Sequence, residues 1–579
     1  MSEYAIHDKV LSHLRRIYDR LNDNDLELLT TKILKVMGVE NSNTLIKPEQ
    51  KWSEKDIISI TYADSIKRES EKPFETLKKF FDNYLKDTIN CIHVLPFFPY
   101  TSDDGFSVLD YSSVNEALGA WDDVEALAKN YKVMADVVIN HCSARSQWFQ
   151  NFQNQIHPGK GYFATALPTD DLSKVVRPRE NELLKAVNTP NGKKYVWCTF
   201  SHDQVDFNFK NHNVLLFFLN IIKFYFDSGA SAIRLDAVAF LWKEIGTRCI
   251  NLPETHSIIR LIRFLAEYYK SDSIIITETN IPSNENLSYF GNNNEAHCIY
   301  NFSLAPLLIH SIISGSSFYL KKWSRSMPPA QQGNAYLNFL STHDGIGMRP
   351  LEGIIPDEEL QKFFKTLQKS GAFLSYRASN KKDNVYEVNT TLLDALSQTY
   401  YGEDNYTVKR FILAHQILFS MEGIPAVYIQ NLIGSKNDIK KYRETKSYRS
   451  VNRKNWDYDD LLKRLNNISS ANHKIFKSIS DLIYVRKKQP AFHPNATQFT
   501  LQLEDHLFGI WRQSIDRSQS IFCVSNLTKY KKKFFLYNIN LIATDDWFDI
   551  LKNKKIKSIN TEILLQPYQS IWISNKKYS

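Results

Sequence analysis

Two short stretches, YKVMADVVIN (131–140) and ASAIRLD (230–236), carry the reading of the fold. Each is a compact apolar run that finishes in polar residues: Asp136, Asn140 and then His141 in the first, Arg234 and Asp236 in the second. A strand covered on both faces reads as a nearly continuous apolar run, the pattern of a parallel sheet. Working outward, six further runs of this kind appear: DIISITYAD (56–64), CIHVLPFF (91–98), SIIITETN (273–280), CIYNFS (298–303), YLNFLSTHD (336–344) and GIPAVYIQN (423–431). Helical periodicity lies between most of them, at 73–87, 116–130, 213–228, 257–271, 304–323 and 406–421, with one more helix at 470–489. Eight such units predict an α/β protein built on a closed (β/α)8 TIM barrel.

The barrel is expected over 56–490, with one insertion at about 142–210 after the third strand and another at about 345–405 after the seventh. Residues 1–55 read as an amphipathic helical extension. From 491 to 579 the pattern changes to short alternating runs (TQFTLQL, HLFGIWRQ, QSIFCVSNL, KKFFLYNI, SIWIS), which predict a C-terminal antiparallel β-sandwich.

Composition narrows the function classes. In 579 residues, 43% are hydrophobic and 23% charged, which excludes a disordered or membrane-embedded chain. The net charge of +9 is mild at this length and no basic stripe runs along the chain, so nucleic acid is not an expected partner. The lysine-rich Lys529–Lys533 reads as a solvated edge strand. The N-terminus has no apolar signal core, and the longest apolar run, Val214–Phe226, is interrupted by Asn220 and Lys223. The six cysteines are dispersed without a CxxC pair, which suits reduced thiols in a cytoplasm. No HxH or HExxH spacing occurs, and neither a metal nor another cofactor is expected.

In a TIM barrel the chemistry sits where strands end. Residues two apart on a strand share a face, so Arg234 and Asp236 project together, and a carboxylate beside a guanidinium is expected to stay ionised. Glu278 leaves an apolar strand after three isoleucines, a setting that raises a carboxyl pKa and suits a general acid. His343 and Asp344 close the seventh run. Asp136 and Arg234 also read as barrel-interior ion pairs, Asn140 as a turn residue, and His141 or His343 taken alone as a satisfied core histidine. Three carboxylates converging on one barrel mouth suit glycosidic-bond chemistry, with one attacking the anomeric carbon and one protonating the leaving oxygen.

The segments DVVINH (136–141), AIRLDAVAF (232–240), IITETN (275–280) and FLSTHD (339–344) resemble the four signature regions of the α-amylase superfamily, glycoside hydrolase family 13. The resemblance implies Asp236 as nucleophile, Glu278 as proton donor and Asp344 as transition-state stabiliser, with Arg234, His141 and His343 holding the glucosyl ring. A narrower resemblance is to the sucrose phosphorylase branch, carried by ITYADS (60–65), HVLPFFPYTSDDGFSVLDY (93–111), VRPR (176–179), TFSHDQVDFN (199–208), THDGIG (342–347) and RSVNR (449–453). It implies that Asp103 and Arg453 close the far side of the glucose pocket, that Arg179 helps bind phosphate, and that Phe200 forms an aromatic wall. Phe240 stands where sucrose-using members have tyrosine. The segments LWKEIGTRCINLPETH (241–256) and GIGMRPLEGIIP (345–356), with the N-terminal extension, are more similar to the glucosylglycerate phosphorylase members. The expected reaction is retaining phosphorolysis of 2-O-α-glucosylglycerate, the alternatives being sucrose phosphorylase, glucosylglycerol phosphorylase or an α-glucoside hydrolase or transglucosidase. Glycerate carries a carboxylate, and Arg349 is a candidate cation for it, a solvent-facing arginine being the other reading. A monomer or homodimer acting on small molecules, with no membrane partner, completes the expectation.

Overall fold

The computed structural model describes residues 3–40, 51–377, 385–539, 546–558 and 560–577. Eight parallel strands close into a barrel: β1 (Ile58–Thr61), β2 (Cys91–Val94), β3 (Lys132–Val137), β4 (Ala230–Leu235), β5 (Ile274–Thr277), β6 (Cys298–Tyr300), β7 (Ala335–Asn338) and β8 (Ile424–Tyr428). Each pairs with its neighbours in chain order, and β1 closes the ring against β8. Seven lie within the runs read from the sequence, and β7 begins one residue before its run, at Ala335.

Helices cover the outside. Pro73–Tyr84, Trp121–Ala128, His212–Asp227, Pro253–Tyr269, Thr407–Ser420 and Ala471–Arg486 match the periodic stretches closely. The stretch at 304–323 differs, because it is two helices, Leu304–Ser314 and Phe318–Ser326. Gly315 at φ 73° ends the first by returning its N–H to the carbonyl of Ser311, a left-handed position that glycine occupies without strain.

The N-terminal helices, Glu3–Ile17 and Asp23–Met37, pack onto the barrel helices Pro253–Tyr269 and His212–Asp227, and their apolar faces join the main core. The Tyr18 hydroxyl donates to the carbonyl of Phe209 at 3.1 Å. Residues 41–50 of the expected extension lie outside the described residues.

After β3 the chain inserts a helix (Gln147–Asn154), a hairpin (Leu184–Thr189 with Gly192–Trp197) and a short pair of strands, His141–Ser143 with Gln204–Asp206. After β7 it inserts the helix Asp357–Lys369 and a three-stranded sheet, in which Val385–Asn389 lies between Ile346–Gly347 and Phe373–Tyr376. Gly345, directly after Asp344, sits at φ 91°, where an added Cβ would lie 2.4 Å from the carbonyl oxygen of Val388. Only a residue without a side chain lets this sheet approach the barrel so closely.

The C-terminal region forms a six-stranded antiparallel sheet and a two-stranded one that share a core of their own, including Leu507, Phe522, Trp547, Phe534 and Ile563. Lys532 and Lys533 lie on a strand of the two-stranded sheet. Among the described residues no helix is long and apolar enough to cross a membrane, and no cluster of three or more His, Cys, Asp or Glu side chains is arranged to hold a metal ion.

Candidate active site

At the end of the barrel where the strands finish lies a cavity open to solvent. Asp236, Glu278 and Asp344 all line it, the first two one residue past the ends of β4 and β5 and Asp344 six residues past the end of β7. Asp103, His141, Arg179, Phe200 and His343 line it too. Arg234, Arg453 and Arg349 are not among its lining residues: Arg234 lies beneath Asp236 and Glu278, Arg453 stands behind Asp103, and Arg349 lies behind Asn280.

The floor is built by register. Asp136 on β3 lies opposite Arg234 on β4, so both enter the barrel at one level. The Arg234 guanidinium is buried between the faces of Phe106 and Tyr300, at 5.7 and 5.4 Å. One of its nitrogens, Nη1, donates both to Asp136 and to Asp236, the latter at 2.8 Å. Nη2 lies 3.9 Å from Glu278 Oε2. Asp136 is therefore the barrel-interior ion pair, and Arg234 bridges the two carboxylates of the cavity floor. Ala237, next to Asp236, adopts φ 50°, a left-handed conformation that costs a residue with a Cβ on the order of 1 kcal/mol. Its N–H donates to Glu278 Oε2 at 3.1 Å, tying the two strand ends together.

The electrostatics correct one expectation. Arg234 alone does not keep Asp236 in the usual carboxylate range: burial drives that carboxyl well upward, Glu278 and Asp136 add to the rise, and Arg234 opposes it. Burial also raises Glu278, with Asp344 adding and Arg234 opposing. Two buried carboxyls thus share the support of one guanidinium beneath them. Asp236 has the tighter contact with Arg234, 2.8 Å against 3.9 Å for Glu278. Asp344 behaves differently. Burial would raise it, but Arg449 at 2.7 Å and Arg453 at 3.4 Å outweigh burial and hold it below its ordinary value.

Both histidines are held neutral by burial, which lowers their pKa. The ring of His343 stacks on Phe106 at 4.8 Å and meets Tyr62 edge-on at 5.8 Å. His141 donates from Nε2 to the carbonyl of Phe106 at 3.1 Å. Asn140 is no simple turn residue: it is fully buried, donates to Asp206 at 3.1 Å and accepts from Lys243 at 2.7 Å.

On the side wall, Arg453 contacts Asp103 at 3.4 Å and Asp104 at 2.8 Å, and donates from Nε to the carbonyl of His343 at 2.9 Å. Asp103 and Asp104 both have left-handed backbones, φ 52° and 48°, held there by this network. Phe200 leans on His141 at 5.2 Å and meets Phe240 edge-on at 5.5 Å, so Phe240 extends the apolar wall.

The rim contains residues that the sequence reading did not single out. Arg449 grips Glu387 through two hydrogen bonds, 2.9 and 2.8 Å, besides its contacts with Asp344 and Asp103. Glu387 and Tyr386 come from the insertion after β7, and Arg179 from the insertion after β3 lies over the Tyr386 ring at 5.0 Å and 3.6 Å from Glu387. The available signals were faint: Arg449 opens the RSVNR run, and Glu387 sits inside the alternating segment VYEVN (385–389).

Arg349 requires a correction. It is neither solvent-facing nor part of the cavity lining: only 5% exposed, it donates to the carbonyl of Asn280 at 3.3 Å and lies 3.8 Å from Glu352. Asn280 lines the cavity, and Arg349 supports it from behind.

Residues 79–345 match the alpha-amylase catalytic domain family. A glucosylglycerate phosphorylase of Spirochaeta thermophila is 38% identical over 83% of this chain and 81% of its own length. One from Escherichia coli is 36% identical over 98% of this chain and 99% of its own. A solved sucrose 6F-phosphate phosphorylase from Thermoanaerobacter thermosaccharolyticum shares the fold with a TM-score of 0.73 at 23% identity, covering 89% of this chain and 98% of that one. With this degree of identity over most of both chains, and with the closed barrel, the chain belongs to the α-amylase family, in the branch that holds the sucrose and glucosylglycerate phosphorylases.

Proposed function

We propose that this enzyme is a retaining glycoside phosphorylase that converts 2-O-α-D-glucosylglycerate and phosphate to α-D-glucose 1-phosphate and D-glycerate. The observation that carries the reading is the single guanidinium of Arg234 under both Asp236 and Glu278 at the floor of one cavity. Such a pair, one ionised and one protonated, is what double displacement at an anomeric carbon requires.

Asp236 attacks the anomeric carbon while Glu278 gives its proton to the departing glycerate oxygen, and a β-glucosyl ester on Asp236 results. Phosphate then attacks the same carbon from the face that glycerate vacated, and its proton passes to the Glu278 carboxylate, which restores the acid. The ester bond to Asp236 breaks, and the α configuration is restored. Asp344, kept ionised by Arg449 and Arg453, stabilises the positive charge that develops on the ring. The Asp103–Arg453 pair and the neutral imidazoles of His141 and His343 offer the glucosyl hydroxyls both donors and acceptors.

Glycerate and phosphate are both anions and occupy the same side of the glucosyl group in turn. Arg179 suits both. Its nearest carboxylate is 3.6 Å away, whereas Arg449 is engaged by Glu387, Asp344 and Asp103. All six cysteines are buried and unpaired, which supports a reducing cytoplasm as the site of action.

The test is phosphate release from α-glucose 1-phosphate in the presence of D-glycerate, fructose or glycerol. D-Glycerate is expected to give a kcat/KM at least about tenfold above the other two. Preference for fructose replaces the acceptor assignment, and glucose release independent of any acceptor replaces phosphorolysis with hydrolysis.

A further inference from the structure

His93 takes no part in the chemistry described above, yet it adjoins it. It lies on β2, 1% exposed, in register with Met134 of β3, one step below Asp136 along the barrel. Its Nε2 is 2.7 Å from Asp136 Oδ2. An ionised carboxylate only accepts, so the ring donates and carries its hydrogen on Nε2. The other oxygen of Asp136 receives Arg234, and the same Arg234 nitrogen reaches Asp236. Four buried side chains from three adjacent strands thus form one line that ends on the attacking carboxylate. The remaining ring nitrogen, Nδ1, is buried with no protein partner among the described residues. The ring borders a small void beneath the site, which Arg234, Tyr300, Glu278, His343 and Asp344 also touch.

We propose that His93 is a positioning residue for Asp236: by donating to Asp136 it determines how firmly Arg234 holds the nucleophile. The proposal rests on the reading of Asp236 as nucleophile. Asp136 is a buried carboxylate balanced between two donors. Without the His93 N–H, its unsatisfied oxygen turns to Arg234, the only strong donor left within reach in the relay. A guanidinium drawn toward Asp136 moves off Asp236, whose ionised form loses its main support. Asp236 is faced by Arg234 on its own strand, by Asp136 from β3, by Glu278 and Asp344 across the cavity, and by His141 and His343. Of these, Arg234 alone favours its charge among the groups that shift it, so weakening that contact raises its pKa.

The experiment uses the full chain and compares His93→Leu with His93→Gln, on α-glucosyl fluoride and on α-glucose 1-phosphate, from about pH 5 to 9. Fluoride departs without a proton from Glu278, so that donor reports on nucleophilic attack alone. With His93→Leu, kcat is expected to fall roughly ten- to a hundredfold on both donors, with KM within about twofold. Activity rises with pH as Asp236 ionises, so the acid limb of the kcat/KM profile moves to higher pH. His93→Gln, which keeps a donor in reach of Asp136, restores most of the rate and returns the limb. An unmoved acid limb with kcat within about twofold of wild type overturns the proposal, as does a loss confined to α-glucose 1-phosphate, which would place the effect on Glu278. Where His93→Leu does not fold, His93→Asn, too short to reach Asp136, takes its place and the same outcomes decide. A wild-type enzyme that consumes α-glucosyl fluoride but transfers nothing to glycerate would refute the acceptor assignment and leave this proposal standing.

Discussion

The floor and the rim of the cavity are built by different means. Every charged group of the floor, Asp136, Arg234, Asp236 and Glu278, is on a barrel strand or within one residue of its end, and strand register alone brings them together. The rim comes from long insertions: Arg179 after β3, Tyr386 and Glu387 after β7, and Arg449 after β8. Its partners are far apart in the chain, Arg449 and Glu387 by 62 residues and Arg449 and Asp103 by 346. The difference teaches a division of labour. In the proposed mechanism a rigid closed sheet holds the groups that must sit within fractions of an ångström for bond making, while loops carry the groups that would select what enters.

The comparison breaks most sharply at the floor. Asp236→Asn is expected to lower phosphorolysis by at least about 10⁴-fold while the thermal unfolding midpoint stays near that of wild type. A variant with near-normal turnover would remove the nucleophile from its strand end and the division with it. The rim should give a graded effect. Arg179→Ala is expected to raise KM for both phosphate and glycerate by roughly ten- to a hundredfold, with slow hydrolysis of the glucosyl-enzyme unchanged. Steady-state kinetics with each acceptor checks it, and a change in only one of the two anions would show that they do not share a cation. The smallest kinetic effect is expected behind the rim. Arg349→Ala should leave KM for glycerate within about threefold, yet cost about 1–3 kcal/mol of stability in urea, because a buried carbonyl of Asn280 loses its donor. A large rise in the glycerate KM would return Arg349 to acceptor binding.

The barrel and the identity of its strand-end residues were legible from the chain. A doubly covered strand must be apolar, so a polar residue at its end stands out, and Asp236, Glu278 and Asp344 each announce themselves in this way. Arg349 was misjudged because its place in the loop after Asp344 carries no information about which side of Asn280 it faces. Arg449 and Glu387 were missed for a related reason: a charged residue in a long insertion looks solvated until its partner is known. His93 escaped notice because one histidine in an apolar strand is usually a satisfied core residue.

By itself the sequence determined the eightfold alternation, the parallel sheet and the list of acids that leave it, since these follow from local periodicity and from the cost of burying polar groups. Only the tertiary structure decided that Arg234 lies under two carboxylates at once and that Arg179 rather than Arg349 faces the open cavity. Those outcomes depend on distances between side chains remote in sequence, and electrostatic energy at such distances changes with each ångström, which no spacing along the chain records.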